Sequence, residues 1–111
     1  MQITDSEKNG ITILNISGRM DATNVSEFDT ACHAKLESGV SRMVIDLKDL
    51  EYISSAGLRG ILSLEKSVRA GKKKIAYCAM QPMVADVFKI SGFNSILSIY
   101  PSLDEALAAL G

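Results

Sequence analysis

Asn9-Gly10 lies between two runs of strand character, and this dipeptide most narrows what the chain can fold into. A type I′ turn needs positive φ at both central positions, which Asn and Gly adopt more readily than other residues. The chain therefore opens with a β-hairpin. Its strands fall at about Gln2 to Lys8 and Ile11 to Ser17. In the second, Ile11 and Ile13 point one way and Leu14 and Ile16 the other. That pattern fits either burial on both faces or a bulge.

Beyond the hairpin, apolar periodicity alternates between helix and strand. Val25, Phe28, Cys32 and Leu36 recur at spacings of three and four and mark a helix over about Ala22 to Glu37. Asp21, Thr23 and Asn24 are all residue types that cap a helix start, and Gly39 fits just past its end. Met43 to Leu47 reads as a buried strand and Lys48 to Ile53 as a connection. A helix follows from about Ser55 to Ala70, stopped by Gly71, with Leu58, Ile61, Leu62, Glu65 and Val68 on one side. Lys74 to Cys78 is the next strand. Pro82 opens a third helix, where its missing N–H costs nothing, and Met83, Val87 and Ile90 form its inner stripe, helped by Val84 and Phe88. Ile96 to Tyr100 is a last strand. Ser102, with Glu105 three residues on, has the pattern of a capping box before a final helix.

This ββαβαβαβα order makes an α/β fold, because strand–helix–strand units give parallel strands joined by right-handed crossovers. The expected architecture is one domain over residues 1–111: a mixed five-stranded sheet, begun by the hairpin, with four helices, some of them packed mainly on one face. A chain of 111 residues closes one sizeable core. Its net charge of −1 gives no bulk attraction to nucleic acid or to an acidic membrane. No apolar run approaches the roughly 18 residues of a membrane span, and the polar N-terminus lacks the layout of a secretory signal. A cytoplasmic protein is expected, monomeric, with a weak dimer as the alternative. Cys32 and Cys78 read as small buried hydrophobes, and the single histidine, His33, as a surface or boundary residue that cannot build a metal site alone.

The chemistry concentrates in Val44 to Leu62, which runs strand, loop, helix. Ser54-Ser55-Ala56-Gly57 sits where the helix begins. Small side chains leave the first-turn backbone open to an approaching molecule, and the N–H groups and helix dipole favour negative charge there. The same residues also serve plain architecture, with Ser54 as N-cap, Ser55 as first helical residue, and Ala56-Gly57 permitting close packing.

Tyr52-Ile53-Ser54-Ser55-Ala56-Gly57-Leu58-Arg59 resembles the signature of the STAS family, in its anti-sigma-factor antagonist branch. Gly18-Arg19-Met20-Asp21 resembles that family's Gly-x-Leu-Asp segment ahead of the first helix, and element order and length match a stand-alone STAS domain. The resemblance implies a partner-switching cycle. The unphosphorylated domain binds an anti-sigma factor that is also a serine kinase, and the sigma factor is freed. Phosphorylation breaks the complex, and a PP2C-type phosphatase resets it. Ser55 occupies the acceptor position. Many members carry Asp-Ser-Ser-Gly; here Ser54 stands in the place of the aspartate and is the second acceptor candidate. The implied partner surface comprises Asp21, Thr23, Ser54, Ser55, Ala56, Gly57 and Arg59, with no cofactor and no metal.

Three residues outside the serine pair have structural readings as well, of equal weight for Asp21 and of greater weight for Thr23 and Arg59. Asp21 either reaches the loop near Ser55 or caps the first helix. Thr23 and Arg59 either line the partner surface or are simply solvated. Asp46, at a strand end, orients the following loop, and Lys72-Lys73-Lys74 is an exposed turn. A STAS adaptor that is never phosphorylated, part of a transport or stress-signalling complex, is the alternative function. An enzyme with Ser55 as nucleophile is not expected. A base must lie within hydrogen-bond reach, the one histidine sits mid-helix elsewhere, and no GxSxG, GxxxxGK[ST] or GxGxxG pattern occurs.

Overall fold

The computed structural model describes residues 1–111. The hairpin joins β1 (Gln2–Lys8) to β2 (Ile11–Met20), antiparallel and in unbroken register from Gln2↔Ser17 to Lys8↔Ile11. Asn9 and Gly10 take φ of 55° and 78°, the double positive φ that the dipeptide promised. Then follow α1 (Val25–Glu37), β3 (Arg42–Asp46), β4 (Leu50–Ile53), α2 (Ser55–Ala70), β5 (Lys74–Cys78), α3 (Pro82–Ile90), β6 (Ile99–Tyr100) and α4 (Leu103–Leu110).

The sheet runs β1-β2-β3-β5-β6, and all neighbours after the hairpin are parallel. It has six strands rather than five, because the segment read as a connection holds β4. β2 is long enough to serve two partners in succession. Thr12 to Asn15 pair with β3, and Gly18 to Met20 pair with β4 after a register slip between Gly18 and Arg19. Gly18 takes φ of 87° next to that slip, a backbone state that glycine adopts without strain. β4 escaped notice because it is four residues long, with Glu51 and Tyr52 exposed between buried Leu50 and Ile53.

Both faces of the sheet are covered, which decides the question left open for β2. Leu14 and Ile16 join a core of 19 buried residues shared with α1, α2 and α3, including Phe28, Ile61, Tyr77 and Phe88. Ile11 and Ile13 join a smaller core of eight on the opposite face, closed by Ala106, Leu107 and Leu110 of α4. The two-sided pattern in β2 is burial, not a bulge. Cys32 and Cys78 are buried one in each core, and burial pushes each thiol up to about 12, so neither is a ready nucleophile. Glu65 interrupts the α2 stripe as its position implied. It is only 6% exposed, and its carboxylate accepts from Arg69 Nε at 3.0 Å. Leu64, absent from the expected stripe, is fully buried, while Leu58 and Leu62 are half-buried.

Three further expectations need correction. α1 starts at Val25, not Ala22, because Asp21 to Asn24 form a hydrogen-bonded turn. The C-terminal strand shrinks to Ile99–Tyr100. Phe93–Ser95 is a short 3-10 turn that buries Phe93 edge-on against Phe88, with ring centroids 5.6 Å apart. The inner stripe of α3 is Val84 and Phe88. Met83 and Ile90 point outward, 68% and 86% exposed, with Val87 at the boundary. On a nine-residue helix with apolar residues on two arcs, periodicity alone does not say which arc faces the sheet. No helix is long and apolar enough to cross a membrane.

Candidate functional site: the start of the second long helix

β4 delivers the chain to α2 through Ile53. The Ser54 N–H donates to the Met20 carbonyl at 2.9 Å, which ties the helix start to the end of β2. Ser54 is the N-cap, its backbone extended at φ −90° and ψ 175°. Its Oγ accepts from the Gly57 N–H at 3.3 Å, satisfying one of the first-turn donors that a helix leaves without an intrahelical acceptor. Ser55 is the first helical residue and is exposed, whereas Ser54 is half-buried and occupied as a cap. The first turn of α2 holds no acidic residue, so the positive end of its dipole is not already offset.

Gly57 is buried under this turn. A Cβ there would lie 2.6 Å from Ile53 Cγ1 and 3.2 Å from the Met20 carbonyl oxygen. Gly60, one turn on, is equally constrained, since its Cβ would lie 2.6 Å from Val25 Cγ2. The two glycines therefore bring α2 down onto the β2–β4 junction and onto the first turn of α1. Between the helices runs a shallow groove of about 360 Å³, lined by Val25, Ser26, Asp29, Ala56, Arg59, Gly60 and Ser63. Arg59 is exposed along it, four residues from Ser55 and so on the same side of α2.

Asp21 and Thr23 stand at the head of α1 and bond to each other, not to the Ser55 loop. The Asp21 carboxylate accepts from the Thr23 N–H at 2.9 Å and from its hydroxyl, closing a local turn. The side chain of Asn24, at the N-cap position of α1, makes no cap bond. Its oxygen accepts from the Asp21 N–H at 3.0 Å, and its Nδ2 donates to the Arg19 carbonyl at 2.8 Å. The Arg19 guanidinium stacks over the Tyr52 ring at 4.1 Å, covering β4 from outside. Gly60, Ser26, Asp29 and Ser63 were not singled out from the sequence, and Asn24 was marked only as a candidate helix cap. Only Gly60 left a trace, as a second glycine three residues after the first. Asp46 is buried and accepts from the Lys48 N–H at 3.1 Å, the loop-orienting role expected of it.

The two hydrogen bonds from Thr23 hold the Asp21 carboxyl below the usual carboxylate range. A depressed folded-state value means that the turn is supported above the unfolded pKa, and that this support fades as pH falls through the folded one. Thr23→Val is expected to return the Asp21 carboxyl toward its ordinary value in a carboxyl NMR titration. An unchanged titration curve would mean that the Thr23 hydroxyl does not set it.

Residues 2–106 match the STAS domain. A Bordetella bronchiseptica protein named as the anti-sigma factor antagonist BtrV is 36% identical over 109 residues, covering 98% of this chain and 94% of the relative. The chain belongs to the STAS family. The STAS fold is matched equally well in three dimensions. A crystal structure of an anti-sigma factor antagonist from Mycobacterium paratuberculosis superposes with a TM-score of 0.90 at 22% identity, over 98% of this chain and 92% of that one. The Bacillus cell fate determinant SpoIIAA in its phosphorylated form superposes with a TM-score of 0.74 at 14% identity, over 99% of this chain and all of that one. At these identities the two structures speak to the STAS fold alone.

Proposed function

We propose that this chain is a cytoplasmic anti-sigma-factor antagonist switched by phosphorylation of Ser55. Its unphosphorylated form binds an anti-sigma factor that is also a serine kinase, and the sigma factor is released. Phosphate on Ser55 ends the binding, and a PP2C-type phosphatase restores it. The observation that carries this reading is the division of labour in the serine pair. Ser54 is spent holding the helix start, while Ser55 is exposed as the first residue of α2, next in sequence to Ala56, which lines the α1–α2 groove. The likeness to the Bordetella protein over nearly the whole of both chains supports the same assignment. The docking surface is the groove, with its Ala56 and Arg59, together with Asp21, Thr23 and Ser55; Gly57, expected on that surface, is buried and shapes the helix start from beneath. The role is binding, without catalysis.

A phosphate adds about −1.5 to −2 charge at pH 7, taking the net charge from −1 to roughly −3. At the first position of α2 that charge meets the positive end of the helix dipole, so the fold tolerates it. The readout therefore lies in the complex, through steric block and repulsion, not in unfolding. Incubation with ATP and the serine-kinase anti-sigma factors of its own cell, followed by mass mapping, is expected to place one phosphate on Ser55 and none on Ser55→Ala. Label on Ser54 in the unmutated chain would move the acceptor. Stable complexes that never yield a phosphorylated product would replace the switch with the adaptor reading.

A further inference from the structure

The chain has four arginines, and the fold employs three of them. Arg19 stacks over the Tyr52 ring, Arg42 donates to the Leu110 and Asn9 carbonyls, and Arg69 holds Glu65 and the Ile96 carbonyl. Arg59 is left over. It is exposed, belongs to none of the three ion pairs, and is the single cation among the seven residues that line the α1–α2 groove. It also stands four residues after Ser55 on the same helix. Residues four apart lie one above the other on a helix, and each side chain leans back over the turn N-terminal to its own Cα. The reach of Arg59 therefore covers the position of Ser55.

We propose that Arg59 receives the phosphate of phosphorylated Ser55, and that this ion pair withdraws the guanidinium from the docking groove. The inference rests on the phosphorylation of Ser55 proposed above. An acidic group four residues before a basic one is the favourable orientation of such a pair on a helix. The planar fork of arginine also matches phosphate oxygens two at a time. The other charged groups at this end of α2 are already engaged. Arg19 is held on Tyr52, Asp21 is bonded to Thr23, and Asp29 lies 3.2 Å from His33 Nδ1. Phosphorylation then changes the docking surface twice. It adds an anion at Ser55, and it takes from the groove its one cation, leaving Asp29 as the only charge among the lining residues. The pair favours the dianion of the phosphate over the monoanion. Its second pKa, ordinarily about 6, is accordingly lowered.

Phosphoserine installed at position 55 during translation gives the modified full chain without any kinase, and a phosphorus NMR titration reads its pKa. Arg59→Gln is expected to raise that pKa by about 0.3 unit or more. Arg59→Lys, which keeps the charge and loses the fork, is expected to raise it by less. Salt at about 1 M narrows the differences. The circular dichroism spectra of the three chains are expected to coincide, since position 59 is exposed. Coincident titrations of wild type and Arg59→Gln overturn the proposal, whether or not the modified chain still binds the anti-sigma factor. Separated titrations in a modified chain that binds the anti-sigma factor undiminished keep the ion pair and remove the switch.

Discussion

Ser55→Asp is expected to weaken the complex with the anti-sigma factor by about 100-fold or more, because a fixed charge set against a docked surface costs several kcal/mol. The same substitution is expected to leave the melting temperature within a few degrees of wild type. Aspartate near a helix N-terminus is worth about 0.3–1 kcal/mol in favour of the helix, and the first turn of α2 carries no acidic residue to repel it. Ser54 keeps its cap bond to Gly57 and its bond to Met20, since neither involves the Ser55 side chain. Titration calorimetry beside a thermal melt separates the two effects. Ser55→Ala supplies the control, retaining binding while losing the acceptor. Equal affinity of wild type and Ser55→Asp would remove the switch from the proposed function.

Gly57→Val is expected to act in the opposite way, on the fold first and on binding as a consequence. The new Cβ lands 2.6 Å from Ile53 Cγ1 and 3.2 Å from the Met20 carbonyl oxygen. Met20 O is backbone and already accepts from Ser54, so it has little room to yield. The helix start must lift off the β2–β4 junction, and overpacking of this kind costs about 3 kcal/mol. At roughly 4–8 °C per kcal/mol for a domain near this size, melting falls by more than about 10 °C. Gly71→Ala is the matched control. Gly71 takes φ of −83°, and the nearest atom to an added Cβ is 3.4 Å away, so its melt stays close to wild type. A Gly57→Val melt that coincides with that control would show that the close approach at Gly57 is not needed.

The sequence carried the architecture wherever local chemistry and burial agreed. Asn9-Gly10 has one favoured turn, Pro82 one favoured helix position, and Ser54 and Ser102 each sit at an N-cap and accept from the N–H three residues on. It failed where a short element draws its identity from a neighbour. β4 is a strand because the C-terminal end of β2 extends past β3 and offers it an edge, and nothing inside Leu50–Ile53 announces that. α3 was turned the wrong way because Met83-Val87-Ile90 and Val84-Phe88 are both apolar, and only the sheet decides between them. At the site, the serine pair was legible. The bond between Asp21 and Thr23 was not, since Asp21 read as a loop contact or a helix cap and Thr23 as a partner-surface or solvated residue.

The Ser54–Met20 tether has a consequence for how the proposed modification is recognised. A serine on a mobile loop is extended into an enzyme cleft and read as a linear string of neighbours. Ser55 sits on a helix whose first residues are pinned to the sheet, so the enzyme must come to it and read a contour. Discrimination among related kinases in one cell is then written in the relief of two helices far apart in sequence, and the residues flanking Ser55 are only part of the message.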